Sequence, residues 1–313
     1  MKVAIKNARF RAITWRDRLE FGLVWLLVRG LGVLPRAAAR RVGSVIGVAS
    51  FHLLRRLRQV GMQNLELAYP ERSANWRTAT LRALYRNLGL QLAEFCLMSR
   101  YSARAASRFI GYLGLEHYLG ARALGRGVLV LTGHLGAWEL SSFYHSLVGY
   151  PMGLVIRPLD NPLVDRFVNH IRCLHGNRVI SKDNFARGLI SAMRAGETVG
   201  ILMDTNMTPP QGVFVPFFGV PACTAAGLAR IALKTGAAVV PGFLLWDEAT
   251  QRYQLEFGSA LALTETGEPE QDVLANTAAF TATIEGYVRR YPEQWLWPHR
   301  RWKTRPAGER GLY

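Results

Sequence analysis

The segment Gly133-His134-Leu135-Gly136-Ala137-Trp138-Glu139 holds the residues best suited to acid–base chemistry. A histidine can accept a proton from a hydroxyl near neutral pH, and a carboxylate beside it fixes the tautomer and stabilises the imidazolium. The spacing restricts how these two can meet. On one continuous helix, residues five apart lie about 140° apart in azimuth, because each residue turns about 100°. His134 must therefore sit in a turn before a helix, with Glu139 in that helix's opening turns. Gly133 and Gly136 give the turn its backbone freedom. Such a dyad has no protein nucleophile, so a substrate hydroxyl takes the place that serine has in a hydrolytic triad. A helix start nearby adds partial positive charge for an oxyanion. On spacing alone, a histidine that only caps the helix is an equal reading.

Further charged residues follow other apolar runs. Arg157 follows Val155-Ile156 and has the forked donors to clamp a phosphate or polarise a thioester oxygen; a surface salt bridge is the plainer alternative. Asp204 closes Gly200-Ile201-Leu202-Met203, where a carboxylate can orient Arg157 or the acceptor, or simply cap a loop. Lys182 and Arg187 are candidate phosphate contacts, though solvated charge explains either alone. The stretch Tyr291–Lys303 places three tryptophans among basic residues, a mixture that suits a lipid headgroup interface or stacked nucleic acid.

The elements that must position these residues alternate. Apolar, β-branched runs at 127–132, 152–156, 178–180, 199–203, 238–245 and 253–257 read as strands. Helical patterning covers roughly 75–98, 137–147, 162–174, 184–195, 225–235 and 273–290, with 104–124 read as a helix and connector and 208–221 as a loop. The order predicts an α/β fold, a largely parallel central sheet flanked by helices, with an N-terminal membrane-associated helical segment. Residues 1–60 form that segment and 61–306 the α/β domain, helical over 61–125 and sheet-containing over 126–306. The tail after Pro306 reads as loose.

Composition narrows the class. Half of the 313 residues are apolar and 19% are charged, which excludes wholesale disorder. Lys+Arg number 39 against 22 Asp+Glu, a formal charge of +17, so the partner is anionic. Lys2, Lys6, Arg9, Arg11, Arg16 and Arg18 precede an apolar run over 21–34, and a second run covers 42–54. Each is about 14 residues, short of the ~20 a perpendicular span needs. Two helices lying in the interface fit better, with one tilted span from Ile13 as the rival. Cys96, Cys173 and Cys223 have no ligand spacing and read as reduced, buried small hydrophobes, and no His/Cys cluster suggests a metal.

Seven segments in order resemble the lipid A biosynthesis acyltransferases (lauroyl/myristoyl type) of the lysophospholipid acyltransferase superfamily: Asn64–Pro70, Gly133–Glu139, Arg157–Pro162, Gly200–Asp204, Gly212–Gly219, Thr235–Pro241 and Gln294–Lys303. The likeness covers about residues 20–304. It implies an enzyme on the cytoplasmic face of the cell inner membrane, moving a fatty acyl group from acyl carrier protein or coenzyme A to a lipid hydroxyl. His134 and Glu139 would be catalytic, and Arg157, Asp204, Lys182 and Arg187 supporting. It implies no bound cofactor, no metal and no acyl-enzyme. The partners it implies are acidic acyl carrier protein, anionic membrane lipids and a lipid acceptor, with no nucleic acid. Ala137 and Thr205 depart from the Asn and Gln common in the family, which bears on the acceptor rather than on the chemistry. Lipid A is the favoured acceptor; another glycolipid or a lysophospholipid is the alternative. A basic lipid- or nucleic-acid-binding protein without catalysis, and a thioesterase-like hydrolase, are the rivals from other classes.

Overall fold

The computed structural model describes residues 12–181 and 185–313. Lys2, Lys6, Arg9, Arg11 and Lys182 lie outside the described residues.

Four helices come first: α1 (Trp15–Gly32), α2 (Arg36–Leu53), α3 (Arg55–Ala68) and α4 (Ala74–Leu97). A capping box opens α1. The Thr14 hydroxyl accepts the Asp17 N–H at 3.2 Å and the Asp17 carboxylate accepts the Thr14 N–H at 2.8 Å, satisfying donors a helix start otherwise leaves unpaired. Helices α2 and α4 cross through glycines. A Cβ on Gly43 would lie 2.2 Å from the Gly89 carbonyl oxygen, and one on Gly47 would lie 2.1 Å from that of Tyr85. Buried Glu94 ties this layer to the sheet. It accepts from Arg36 (2.6 Å), Arg40 (2.5 Å) and Tyr101 (2.5 Å), and Arg40 also donates to the Tyr253 hydroxyl. Among the described residues no helix is long and apolar enough to cross a membrane, which removes the tilted span from Ile13.

Then come α5 (Ala103–Ala106), β1 (Ile110–Leu113), α6 (Leu115–Ala123), β2 (Val128–Thr132), α7 (Trp138–Leu147), β3 (Gly153–Ile156), α8 (Pro162–Arg172), β4 (Arg178–Ser181), α9 (Phe185–Arg194) and β5 (Thr198–Leu202). The chain continues through β6 (Gly212–Phe217), β7 (Val220–Ala225), α10 (Gly227–Thr235), β8 (Ala238–Asp247), β9 (Arg252–Phe257) and α11 (Pro269–Arg290). Seven strands form one sheet in the order β1-β9-β8-β2-β5-β3-β4, parallel except at β8–β9. Alternate residues divide between two cores. Leu129, Leu131, Val199, Ile201 and Val239 face α9, α10 and α11, whereas Val128, Val130 and Val240 face α6 and α7.

Two elements depart from the sequence expectation. Residues 104–124 hold a strand: β1 has four residues, one of them Gly111, and stops at Gly114 with φ +70, too short a run for alternation to show. Its partner β9 lies far along the chain. Residues 208–221 are not all loop, because β6 and β7 form a hairpin with Pro216 opposite Pro221. Proline argues against a strand in sequence, yet a two-stranded ribbon tolerates it. Phe218 (φ 53) and Gly219 (φ 73) make the two-residue turn, both in the left-handed region such hairpins require.

The three tryptophans and Arg301 of the C-terminal stretch are interior and form no headgroup or nucleic-acid surface, while Arg300 and Lys303 stay exposed. Trp295, Trp297, Trp302 and Arg301 are at most 1% exposed. Their polar ends find partners inside. Trp297 Nε1 donates to the Pro292 carbonyl (2.6 Å), and Arg301 to the carbonyls of Cys223 (3.0 Å) and Thr205 (3.2 Å). Asn64 of α3 locks the stretch from outside, its Nδ2 donating to the carbonyls of Trp297 and His299, both at 2.7 Å. The tail is held as well: the Tyr313 hydroxyl donates to Asn64 Oδ1 and accepts the Trp302 N–H at 3.2 Å. All three cysteines are free thiols, with Cys96 and Cys223 buried and Cys173 half-buried.

Candidate active site

Strand β2 delivers the chain to His134 at the carboxyl end of the sheet, where ligands of open α/β sheets bind. The turn that follows is clamped by distant backbone. The His134 carbonyl accepts the Leu296 N–H (3.0 Å), the Gly136 N–H donates to Gln294 (3.1 Å), and the Ala137 N–H donates to Leu244 (2.8 Å). Gly136 has φ +63, and a Cβ there would lie 2.0 Å from the Leu244 oxygen, so only glycine fits. Helix α7 begins at Trp138. His134 therefore precedes the helix and Glu139 is its second residue, as the spacing requires.

The carboxylate that holds the imidazole is Asp204, not Glu139. Asp204 Oδ1 lies 2.9 Å from His134 Nδ1, and Oδ2 accepts the His134 backbone N–H at 2.7 Å and the Trp295 indole N–H at 2.8 Å. Parallel pairing explains the meeting: Thr132 is in register with Leu202, so both strands end at one level. Gly133 leaves room, since a Cβ on it would lie 2.9 Å from the Asp204 carboxyl carbon. Glu139 turns instead to Arg172 of α8, accepting from its Nε at 2.8 Å and also from its terminal nitrogen. A guanidinium fork matches a carboxylate better than one imidazole nitrogen does.

The electrostatics follow. Burial favours the neutral forms of both members of the pair, but their mutual attraction prevails. The His134 pKa is raised above 6.5 by the charge and hydrogen bond of Asp204, with a further contribution from the Glu139 charge. Asp204, despite complete burial, is lowered from 3.8 to about 2 by His134 and by the Trp295 indole. The contribution of Asp204 to folding is complete above 3.8 and is lost as the pH falls through about 2. That of His134 is complete below 6.5 and is lost as the pH rises through its raised value.

His134 opens onto a cavity of about 940 Å³ that wraps the carboxyl ends of β2, β5 and β3. One part lies between the sheet and α7, beside Val130, Thr132, Leu154, Gly200 and Leu202. The other reaches the opposite face at Ile201, Met203, Leu228 and Ile231. Glu139, Arg157 and Arg172 also line it. Asp204 does not orient Arg157, whose exposed side chain reaches Asp160 at 3.4 Å. Arg187 is exposed on α9. Among the described residues no cluster of three or more His, Cys, Asp or Glu could hold a metal.

Sequence reasoning missed Arg172, His299, Trp295 and Arg301. His299 lines the cavity with Nε2 accepting the Asn206 N–H at 2.9 Å, and burial lowers its pKa to about 4, so it is neutral. Burial likewise lowers the Arg301 guanidinium to about 10. The indole and guanidinium were visible as types in the C-terminal stretch, but nothing local said that they face Asp204. With Nδ1 committed to a carboxylate, the His134 Nε2 is the nitrogen able to take a proton.

Comparison with known proteins gives the family. Residues 13–304 match the family described as bacterial lipid A biosynthesis acyltransferase. The chain is 30% identical over 300 residues to the lipid A biosynthesis lauroyltransferase of Escherichia coli (strain K12), covering 96% of this chain and 95% of that one. It is 29% identical over 300 residues to the palmitoleoyltransferase of the same strain, with 96% and 94% covered. With the Escherichia coli myristoyltransferase the identity is 24% over 280 residues, with 90% and 85% covered.

Proposed function

This chain belongs to the bacterial lipid A biosynthesis acyltransferase family and is an O-acyltransferase; from that premise we propose that His134 drives direct transfer from an acyl thioester to a hydroxyl of a lipid A precursor. One observation carries the reading. The His134 Nδ1 is fixed by buried Asp204, while the same side chain, a quarter exposed, lines the large cavity. In this mechanism Nε2 removes the acceptor hydroxyl proton as the oxygen attacks the thioester carbonyl carbon. Asp204 stabilises the imidazolium that forms. The tetrahedral oxyanion then collapses, the carbon–sulfur bond breaks, and the departing thiolate takes the proton back from Nε2. The first turn of α7 has no side-chain cap, which leaves its N–H groups and the positive helix end available to an oxyanion formed beside His134. Glu139, paired with Arg172, still contributes its negative charge at His134 and shapes the wall between α7 and α8.

The donor is acyl carrier protein or coenzyme A, both anionic and suited to a chain of +17. Arg157, Lys182 and Arg187 supply cationic contacts to phosphate. Residues 1–60 form the membrane-docking segment and 61–306 the catalytic domain. Helix α1 exposes Trp15, Leu19, Leu23 and Leu26, spaced along one side, with Arg16, Arg18 and Arg29 around them. That pattern supports docking on a membrane surface, and in this reading the surface is the cytoplasmic face of the inner membrane.

Exchange of His134→Ala lowers acyl transfer at least ~10²-fold, with thermal melting and vesicle binding retained. A folded His134→Ala protein of full activity would refute the role. Mass spectrometry of lipid A from cells with and without this chain tests the acceptor: the expected result is one acyl group missing without it. An unchanged lipid A spectrum would remove lipid A as the acceptor.

A further inference from the structure

The part of the cavity beneath α7 has an uneven floor. Strands β2, β5 and β3 run side by side, and Val130, Gly200 and Leu154 are in register across them, so these three positions point to one face. Val130 and Leu154 carry branched side chains, whereas Gly200 between them carries none. All three line the cavity. Gly200 is not forced to be glycine. It does not have positive φ, and a Cβ there would meet only the Met152 sulfur, at 3.3 Å. Gly242, which also lines the cavity, is different: an added Cβ there would lie 2.7 Å from Val130 and 2.9 Å from Phe257, so no side chain fits. The empty position at Gly200 therefore opens cavity space, and flexible Met152 forms its far side.

Position along the strands gives this gap its meaning. Thr132 and Leu202 stand at the mouth, next to His134, and Val130 and Gly200 lie two residues, about 7 Å, further in. Beyond them the space meets His145 and Phe257. That wall is built of packed rings. His145 is wholly buried, its Nδ1 is bound to the Tyr112 hydroxyl at 2.7 Å, and its ring packs on Tyr118, Tyr150 and Phe257 at 4.6, 5.0 and 5.3 Å. Burial holds the ring neutral, with a pKa of about 3, so the wall presents no charge to an apolar chain. A recess lined mainly by apolar groups, with the His145 Nε2 as an unpartnered polar atom in its wall, and starting at the base, suits the one substrate portion that must end inside the protein.

We propose that this recess takes the hydrocarbon chain of the acyl donor, and that Gly200, with Met152 opposite, is a specificity-determining position for the length of chain transferred. The inference rests on the acyl-transfer reading above. Its test uses the whole protein, one fixed lipid acceptor and acyl carrier protein loaded with saturated chains of graded length. In Gly200→Val the added methyl groups occupy the recess. The longest chain that the wild type accepts should lose at least about tenfold in kcat/KM, since one methylene in an apolar pocket is worth about that much. The shortest chain should be unaffected within about twofold. Met152→Ala should move the preference the other way, toward longer chains, and keeps the question open to refutation if Gly200→Val fails to fold. A profile unmoved in folded variants, or a uniform fall across all lengths, overturns the proposal. A rise in acceptor KM with the donor profile unmoved would also overturn it, by giving the recess to the acceptor. Wild-type protein that transfers no chain from any donor would sink the wider reading instead.

Discussion

The end of β5 and the start of α7 each bring a carboxylate to His134, and the two behave differently. Asp204 is fully buried, bound to the imidazole, the His134 backbone and an indole. Glu139 is 28% exposed at its side chain and committed to Arg172. Closeness in sequence thus placed Glu139 in the neighbourhood, while strand pairing across 70 residues placed Asp204 in contact. The lesson is that a spacing motif reports which side chains share a space, and topology decides which of them bond.

This contrast can be broken by exchange of each carboxylate. Asp204→Asn should have the larger effect, about 10²–10⁴-fold in kcat, because an amide does not hold the imidazole tautomer or balance the imidazolium. Its pH profile carries a second signature. A base must be neutral to act, so wild-type kcat/KM rises with pH through the raised His134 pKa, above 6.5. Without the Asp204 charge, burial acts largely alone on His134, and the rising limb should move to lower pH even as the plateau drops. Glu139→Gln should move the limb in the same direction but less, because Glu139 acts on His134 through its charge alone. Its rate loss should be the smaller one. Equal or reversed losses would make Glu139, not Asp204, the functional partner.

The indole sharpens the comparison at a smaller scale. Trp295→Phe keeps most of the ring volume and removes one hydrogen bond to an ionised carboxylate, a bond worth about 1.5–3 kcal/mol. Chemical denaturation should report a loss of that order. The acid limb of stability should shift to higher pH, since Asp204 would lose a group that keeps it ionised. Unchanged acid stability would mean that the indole contributes packing alone.

Legibility followed the same division between local and distant. The strand at 128–132, the turn at 133–137 and the helix after it were readable, because a continuous apolar, β-branched run and glycine punctuation are local signals. The family was readable too, because seven short segments recur in order. The hairpin was hidden by its prolines and β1 by its brevity. The role of residues 294–302 was hidden most thoroughly. Tryptophan and arginine look like surface groups until one sees Asn64 holding the segment and Asp204 receiving its indole.

The glycine crossing of α2 and α4 has a mechanical consequence. With Gly47 backed against the Tyr85 carbonyl there is no cushion of side chains to shear, and Glu94 pins the same layer to Tyr253 of the sheet through Arg40. A bilayer that grips α1 would therefore set the tilt of the whole body and aim the entrance beside His134 at a constant angle. A bulky residue at Gly47 would loosen that aim before it touched any reacting group.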